Sequence, residues 1–222
     1  MRLYLIRHAE SENNVRDEHE RVEDPAITAR GVRQAEQLAD WLATHPFDVL
    51  LTSPFRRALE TARPIAHRTG REVHVWCDIY EQGGCYRGWH EANYEGAAGL
   101  GREAILELLP GATVEAAIGP SGWWGELPRE TQDETLRRAA AVRGKLEREF
   151  VASDRRVVAI VHADFQRLLL AELLGDDIDV GCLGPICNTG VTHLTHHAGR
   201  WQLQWFNAVT HLSGELITEA KG

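Results

Sequence analysis

Lysine is scarce in this 222-residue chain: Lys145 and Lys221 are the only two, so arginine carries nearly all of the positive charge. The 24 basic residues face 33 acidic ones, for a net charge of −9. Nucleic acids and anionic membranes are held by clustered Lys and Arg, so neither is expected as a partner. A small anion in a local arginine pocket is still compatible with that charge. Long apolar runs are also missing. The longest, Val157 to Val161, is far short of the about 20 residues of a membrane span and the at least ~7 of a signal-peptide core. A cytoplasmic protein starting at or near Met1 is the expectation. Cysteine is sparse and unpatterned: Cys77, Cys85, Cys182 and Cys187 form no paired CxxC scaffold for zinc, and with no secretory signal they are read as free structural thiols.

What is present is an ordinary globular composition, 43% hydrophobic and 26% charged. The length suits a single domain over residues 1–222, which buries enough surface to need no metal or disulfide. One segment stands apart. Ten of the 20 glycines lie between Gly83 and Gly125, together with Trp89, Trp123 and Trp124.

Apolar periodicity predicts alternating strands and helices. Leu3 to Ile6 reads as a buried strand ending in Arg7-His8. Val32, Ala35, Leu38, Ala39 and Leu42 recur at helical spacing over 32–44. A strand over Asp48 to Thr52 passes through Ser53-Pro54 into a helix over about 56–69, closed by Gly70 and interrupted by Pro64, which is expected to kink or end it. A third strand is placed at Glu72 to Trp76. Thr131 or Asp133 starts a long helix to Phe150, with Leu136, Ala139, Val142, Leu146 and Phe150 inward. Val157 to Val161 is a strand ending in His162, followed by a helix over 164–174 that Asp164 is expected to cap. Gly190 to Thr195 and Arg200 to Phe206 read as a hairpin. The fold class is therefore α/β, doubly wound, with a largely parallel sheet flanked by helices. Residues 81–130 resist a simple βα reading and are taken as an insertion forming a cap or lid.

Ligands of such sheets bind at the carboxyl ends of the strands. Three ends carry chemistry here: Arg7-His8, Thr52-Ser53 with Arg56 and Arg57 one turn on, and His162. Two imidazoles with two or three guanidinium groups suit a phosphate monoester. Arg binds the dianion through a planar fork, helix N-termini add N–H donors, and a neutral imidazole can attack phosphorus.

These residues resemble a known family. The stretch from Leu5 to Asn14, with Arg7-His8-Ala9-Glu10, is similar to the N-terminal signature of the histidine phosphatase (phosphoglycerate mutase-like) superfamily. Asp24-Pro25-Ala26-Ile27-Thr28 with Gly31 and Gln34-Ala35, Ser53-Pro54 with Arg57-Ala58 and Thr61-Ala62, Val161-His162-Ala163, and Asn188-Thr189-Gly190-Val191 resemble its later motifs in order. The resemblance implies that His8 is the phosphorylated nucleophile and Glu81 the proton donor. It also implies that His162 stabilises the transferring group, and that Arg7, Asn14 and Arg57 bind phosphate. Arg87, Trp89 and Tyr94, with Tyr86, His90, Trp123 and Trp124, are candidates for a substrate-selecting lid; packing onto the domain is the alternative.

Ala9 stands where the family usually has Gly, and would be strained if that position required a positive φ. The Gly-Trp pair and the Gly-Leu-Asn-Lys segment of cofactor-dependent mutases are absent. The expected activity is therefore metal-independent hydrolysis of phosphate monoesters through phosphohistidine at His8, with no cofactor. The substrate would be a small phosphorylated metabolite or a phosphorylated peptide, and the oligomeric state is left open. A mutase-type phosphotransferase and a non-catalytic phospho-ligand binding module are the alternatives. A metallohydrolase is a weaker one, since the eleven histidines form no HExxH motif.

Overall fold

The computed structural model describes residues 1–90, 93–175 and 179–218. Strand β1 (Arg2–Arg7) leads through a short helix α1 (Glu12–Val15) to α2 (Ala29–Thr44). Next come β2 (Val49–Thr52), α3 (Arg56–Thr69) and β3 (Val73–Val75). A two-stranded ribbon, β4 (Tyr86–Arg87) with β5 (Glu95–Gly96), precedes α4 (Arg102–Leu108) and β6 (Thr113–Val114). The chain continues with α5 (Gln132–Phe150), β7 (Arg156–Val161), α6 (Ala163–Leu174), β8 (Val191–His197) and β9 (Arg200–Ala208).

Seven strands form one sheet in the order β6-β3-β2-β7-β1-β8-β9. β7 lies between β1 and β2 and is parallel to both, with Leu3 opposite Val157 and Leu50 opposite Val158. β8 runs antiparallel to both of its neighbours. The central strands are apolar through their middles because both faces are covered, yet the period of two still sorts them. Ile6, Leu50, Val158 and Ile160 point to a core shared with α2 and α3, while Leu3, Leu5, Leu51, Val157 and Val161 meet α5 and α6. The placement of β7 between β1 and β2 brings the carboxyl ends of three strands together, and with them Arg7-His8, Ser53 and His162.

Most predicted elements are present, with instructive differences. Pro64 lies inside α3, which continues to Thr69 and ends at Gly70 with φ 65°. Thr131 caps α5 in a reciprocal capping box with Glu134. Leu136 is half-buried, and Thr135 takes its place on the inner face. Val32 is exposed; the helix turns Gly31 inward instead. A Cβ at Gly31 would stand 2.2 Å from the Glu10 carbonyl oxygen. Gly31 therefore lets the loop after β1, which carries the candidate site, cross α2 at backbone contact. Gly31→Ala is expected to cost about 1–3 kcal/mol through this overpacking, despite alanine's better helix propensity. Urea denaturation measures it, and an unchanged midpoint would contradict the account.

Residues 81–130 are not set apart from the domain. They include β6, which extends the main sheet beside β3, and α4 against α3. Trp123 and Trp124 are buried in the core on the α2–α3 side, edge to face with each other, and Trp123 also meets Phe55. These two rings pack the segment onto the domain.

Candidate active site

His8 follows β1 and is 3% exposed. Its Nδ1 lies 2.7 Å from the Ala9 carbonyl oxygen. A carbonyl can only accept, so Nδ1 carries the ring proton and Nε2 keeps its lone pair. Arg57 Nε donates to that Nε2 at 3.1 Å. The same guanidinium donates through Nη2 to His162 Nδ1 at 3.2 Å, which places the His162 proton on Nε2, 2.7 Å from Ser53 Oγ. Burial first, then Arg57, pulls both imidazoles well below their usual pKa, so both are neutral at pH 7. Arg57 is the second residue of α3 and lies over the Phe55 ring at 3.9 Å. The resulting centre is one guanidinium spanning two neutral imidazoles.

Arg7 is 3% exposed. Its Nη1 donates to the Ile186 carbonyl at 2.7 Å, while its Nε is buried with no acceptor among the described residues. Burial lowers it to about 10, against the pull of Glu81. A buried, unpaired donor on a cation is a place for an anion to bind. The loop before β8 braces this end of β1. Thr189 N–H donates to the Arg7 carbonyl at 3.0 Å, and Asn188 Nδ2 donates to the His8 carbonyl at 3.0 Å and to Asn14 Oδ1 at 3.3 Å. Asn14 Oδ1 also accepts from the Ser11 N–H at 2.9 Å, leaving the amide nitrogen as its donor end.

Glu81 lies before the glycine-rich turn. The residue is half-buried, but its carboxyl group is enclosed. Oε1 accepts from the N–H groups of Gln82 and Phe165, both at 2.9 Å. This corrects the expected role of Asp164: His162 is the N-cap of α6, Asp164 lies in its first turn, and Glu81 supplies the accepting oxygen from across the fold. Burial first, then Asp164, raises the Glu81 pKa. A residue with no distinctive local motif, Arg138 on α5, holds this segment. It donates through Nη1 to the carbonyls of Asp78 and Tyr80, both at 3.0 Å, and forks onto the buried Glu130 at 2.8 and 2.6 Å. Its only sequence signal was a basic residue on the half-buried flank of α5.

The lid candidates form a different cluster. Arg87 pairs with Glu23 at 3.1 Å, Tyr94 meets Tyr86 edge to face, and Trp89 is 51% exposed. Among the described residues none of the three hydrogen-bonds or stacks with His8 or His162, and Tyr86 is near enough to bear on the Arg57 charge. Ala9 carries no strain. It is absent from the residues with positive φ, is fully buried, and donates its N–H to Thr61 Oγ1 at 3.0 Å.

A family model of the histidine phosphatase superfamily (branch 1) matches residues 3–209. The chain belongs to this superfamily. Its relatives are phosphatases, and so is this protein. It is 26% identical over 233 residues to the glucosyl-3-phosphoglycerate phosphatase of Mycolicibacterium vanbaalenii, across 97% of this chain and 98% of that one. Among solved structures, a mycobacterial glucosyl-3-phosphoglycerate phosphatase in complex with VO3 superposes with a TM-score of 0.64 at 26% identity, covering 93% and 99% of the two chains. A phosphoserine phosphatase from Entamoeba histolytica, crystallised with phosphoserine, shares the fold at a TM-score of 0.65 and 21% identity, covering 96% and 99%. Family membership thus rests on nearly the whole length of the chain. No helix among the described residues is long and apolar enough to cross a membrane.

Proposed function

We propose that this phosphatase hydrolyses the phosphate monoester of a small cytoplasmic metabolite in two steps, without metal, through phosphohistidine at His8. The observation that carries the reading is the bare Nε2 of His8, kept unprotonated by the Nδ1–H bond to the Ala9 carbonyl and pointed at Arg57. An incoming phosphate takes the Arg57 fork and the free Arg7 Nε–H, with Asn14 Nδ2 as a further donor. His8 Nε2 attacks phosphorus, the ester P–O bond breaks, and the leaving oxygen takes the proton of Glu81. His162 donates to the equatorial oxygens as charge gathers on them. Water then attacks phosphorus and gives its proton to Glu81, the P–N bond breaks, and His8 returns to its starting form.

Small phosphorylated substrates are favoured by the relatives, whose names refer to glucosyl-3-phosphoglycerate and phosphoserine. The β4–β5 ribbon, with Tyr86 against Tyr94 and latched to Glu23 through Arg87, is the part we assign to choosing the leaving group. The test is a phosphomonoester panel in excess EDTA that includes sugar phosphates, phosphoserine, 3-phosphoglycerate and a phosphopeptide. Turnover of a small phosphate at the rate seen without EDTA is expected. Activity that depends on added metal, or that is confined to the phosphopeptide, would overturn the corresponding part of the proposal.

A further inference from the structure

The two chemical steps use Glu81 and leave a second buried carboxyl group, Asp24, without a role. Asp24 lies in the loop between α1 and α2. Its Oδ1 accepts from the Arg56 N–H, the first of α3, at 2.9 Å. Phe55 occupies the N-cap of α3 and has no side-chain acceptor, so Asp24 caps this helix from another segment. Its Oδ2 is buried and accepts from no donor among the described residues. The next residue along the helix is Arg57. The side-chain hydrogen bonds of Arg57 end on neutral imidazole nitrogens, so among the described residues its charge has no hydrogen-bonded anion. Asp24 is the negative group that bears on it most strongly, ahead of Glu81.

The groups facing Asp24 come from three directions. Arg56, Arg57 and Glu60 belong to α3, and Glu60 is itself held by Arg56 Nε at 2.8 Å. Cys85 approaches from the turn before β4, its thiol pushed up to about 12 by burial and by Asp24. Glu23 precedes Asp24 and is paired with Arg87.

We propose that Asp24 is a positioning residue for Arg57: it caps the helix that carries Arg57, holds the guanidinium across His8 and His162 as its counter-charge, and takes up a proton when a dianion enters. This rests on the pocket being the phosphoryl site. Burial raises Asp24 to about 7, with Arg57 and the Arg56 N–H holding it from going higher. A dianion on Arg57 brings two further negative charges towards the carboxylate and draws Arg57 away from it. Both effects favour the protonated form. By linkage, the anion then binds more weakly as pH rises through 7, because the proton it requires is no longer supplied.

Tungstate is a suitable probe, since it stays a tetrahedral dianion above neutrality and does not add a titration of its own. For a rise of about one unit in the Asp24 value on binding, the wild-type Kd for tungstate weakens about three- to fivefold between pH 7 and 8.5. Asp24→Asn keeps Oδ1 for the Arg56 N–H and removes the charge, so its Kd is expected to stay flat over that range. Calorimetry in two buffers of different ionisation enthalpy at pH 7.5 should show net proton uptake in the wild type and in Glu81→Gln. A flat wild-type profile, or a slope that persists in Asp24→Asn, overturns the proposal. Should Asp24→Asn fail to fold, the Glu81→Gln calorimetry decides: loss of uptake there assigns the proton to Glu81 and excludes Asp24. Tungstate that binds without proton uptake leaves the pocket assignment intact and removes only the role of Asp24. No tungstate binding at any pH removes both.

Discussion

Replacing His8 with alanine is expected to lower turnover of every phosphate monoester by about 10⁴-fold or more, as removal of a nucleophile does in other covalent enzymes. The second readout is the intermediate. A substrate labelled in the phosphoryl group, quenched in the steady state, should leave acid-labile, alkali-stable label on the wild type and none on His8→Ala. The reason is specific to the geometry. The Nδ1–H bond to the Ala9 carbonyl leaves Nε2 as the only basic nitrogen of that ring, held beside Arg57. His162 does not substitute, because its Nε2 carries the proton held towards Ser53 and its Nδ1 accepts from Arg57. Label that survives in His8→Ala would sink the assignment.

Glu81→Gln carries the second large effect, and it depends on the leaving group. An alkyl oxygen needs a proton as the P–O bond breaks, so alkyl phosphates should lose about 10²–10⁴-fold in kcat. Formation of the phosphoenzyme from 4-nitrophenyl phosphate, whose leaving oxygen needs no proton, should change little. Equal losses on both substrates in single-turnover experiments would contradict the role. The pH dependence has a defined sign. Burial and the neighbouring Asp164 raise the Glu81 pKa, so the acid form persists above the ordinary carboxyl range. Activity on alkyl phosphates falls as pH rises through that raised value, and Glu81→Gln removes this limb. On the acid side, burial and then Arg57 pull the imidazole of His8 well below its ordinary value, so the nucleophile stays unprotonated where a free imidazole would titrate. A profile that dropped at pH 6.5 in the wild type would mean that His8 titrates normally and is not enclosed as described.

The sequence announced the strand-end residues well because their positions are local properties. Short apolar runs of β-branched and aliphatic residues are strands wherever they occur in a chain of this kind. The polar residue that follows such a run sits at a carboxyl end without further information. His8, Arg57 and His162 could therefore be placed before any tertiary contact was known, and in the fold they meet within hydrogen-bonding distance. Glu81 was reached only through family resemblance, since a carboxylate before a glycine turn looks like any surface residue. Arg138 and Asp24 gave no local sign of their roles. Arg138 works on residues about 60 positions earlier and Asp24 on an N–H 32 positions later, and neither separation leaves a periodicity to read. Val32 misled for a related reason. Apolar spacing points to a buried face, but the close crossing of the Glu10 loop reserved that face for Gly31.

The scarcity of lysine has a physical counterpart in the site. All of the cation work at the pocket falls to guanidinium groups, which fork between two acceptors as Arg57 does, and as a lysine ammonium could not do in a plane. By itself the sequence determined the α/β alternation, the strands that end in Arg7-His8 and His162, and the helix that begins beside Arg57. Those features follow from the solubility pattern and backbone preference of neighbouring residues. The tertiary structure alone decided which nitrogen of each imidazole is bare, that the N-terminus of α6 holds the Glu81 carboxyl group, and that Asp24 caps the helix carrying Arg57 with its other oxygen buried and unpaired among the described residues. Protonation and tautomer depend on what surrounds a group in three dimensions, and those surroundings come from segments far apart in the chain.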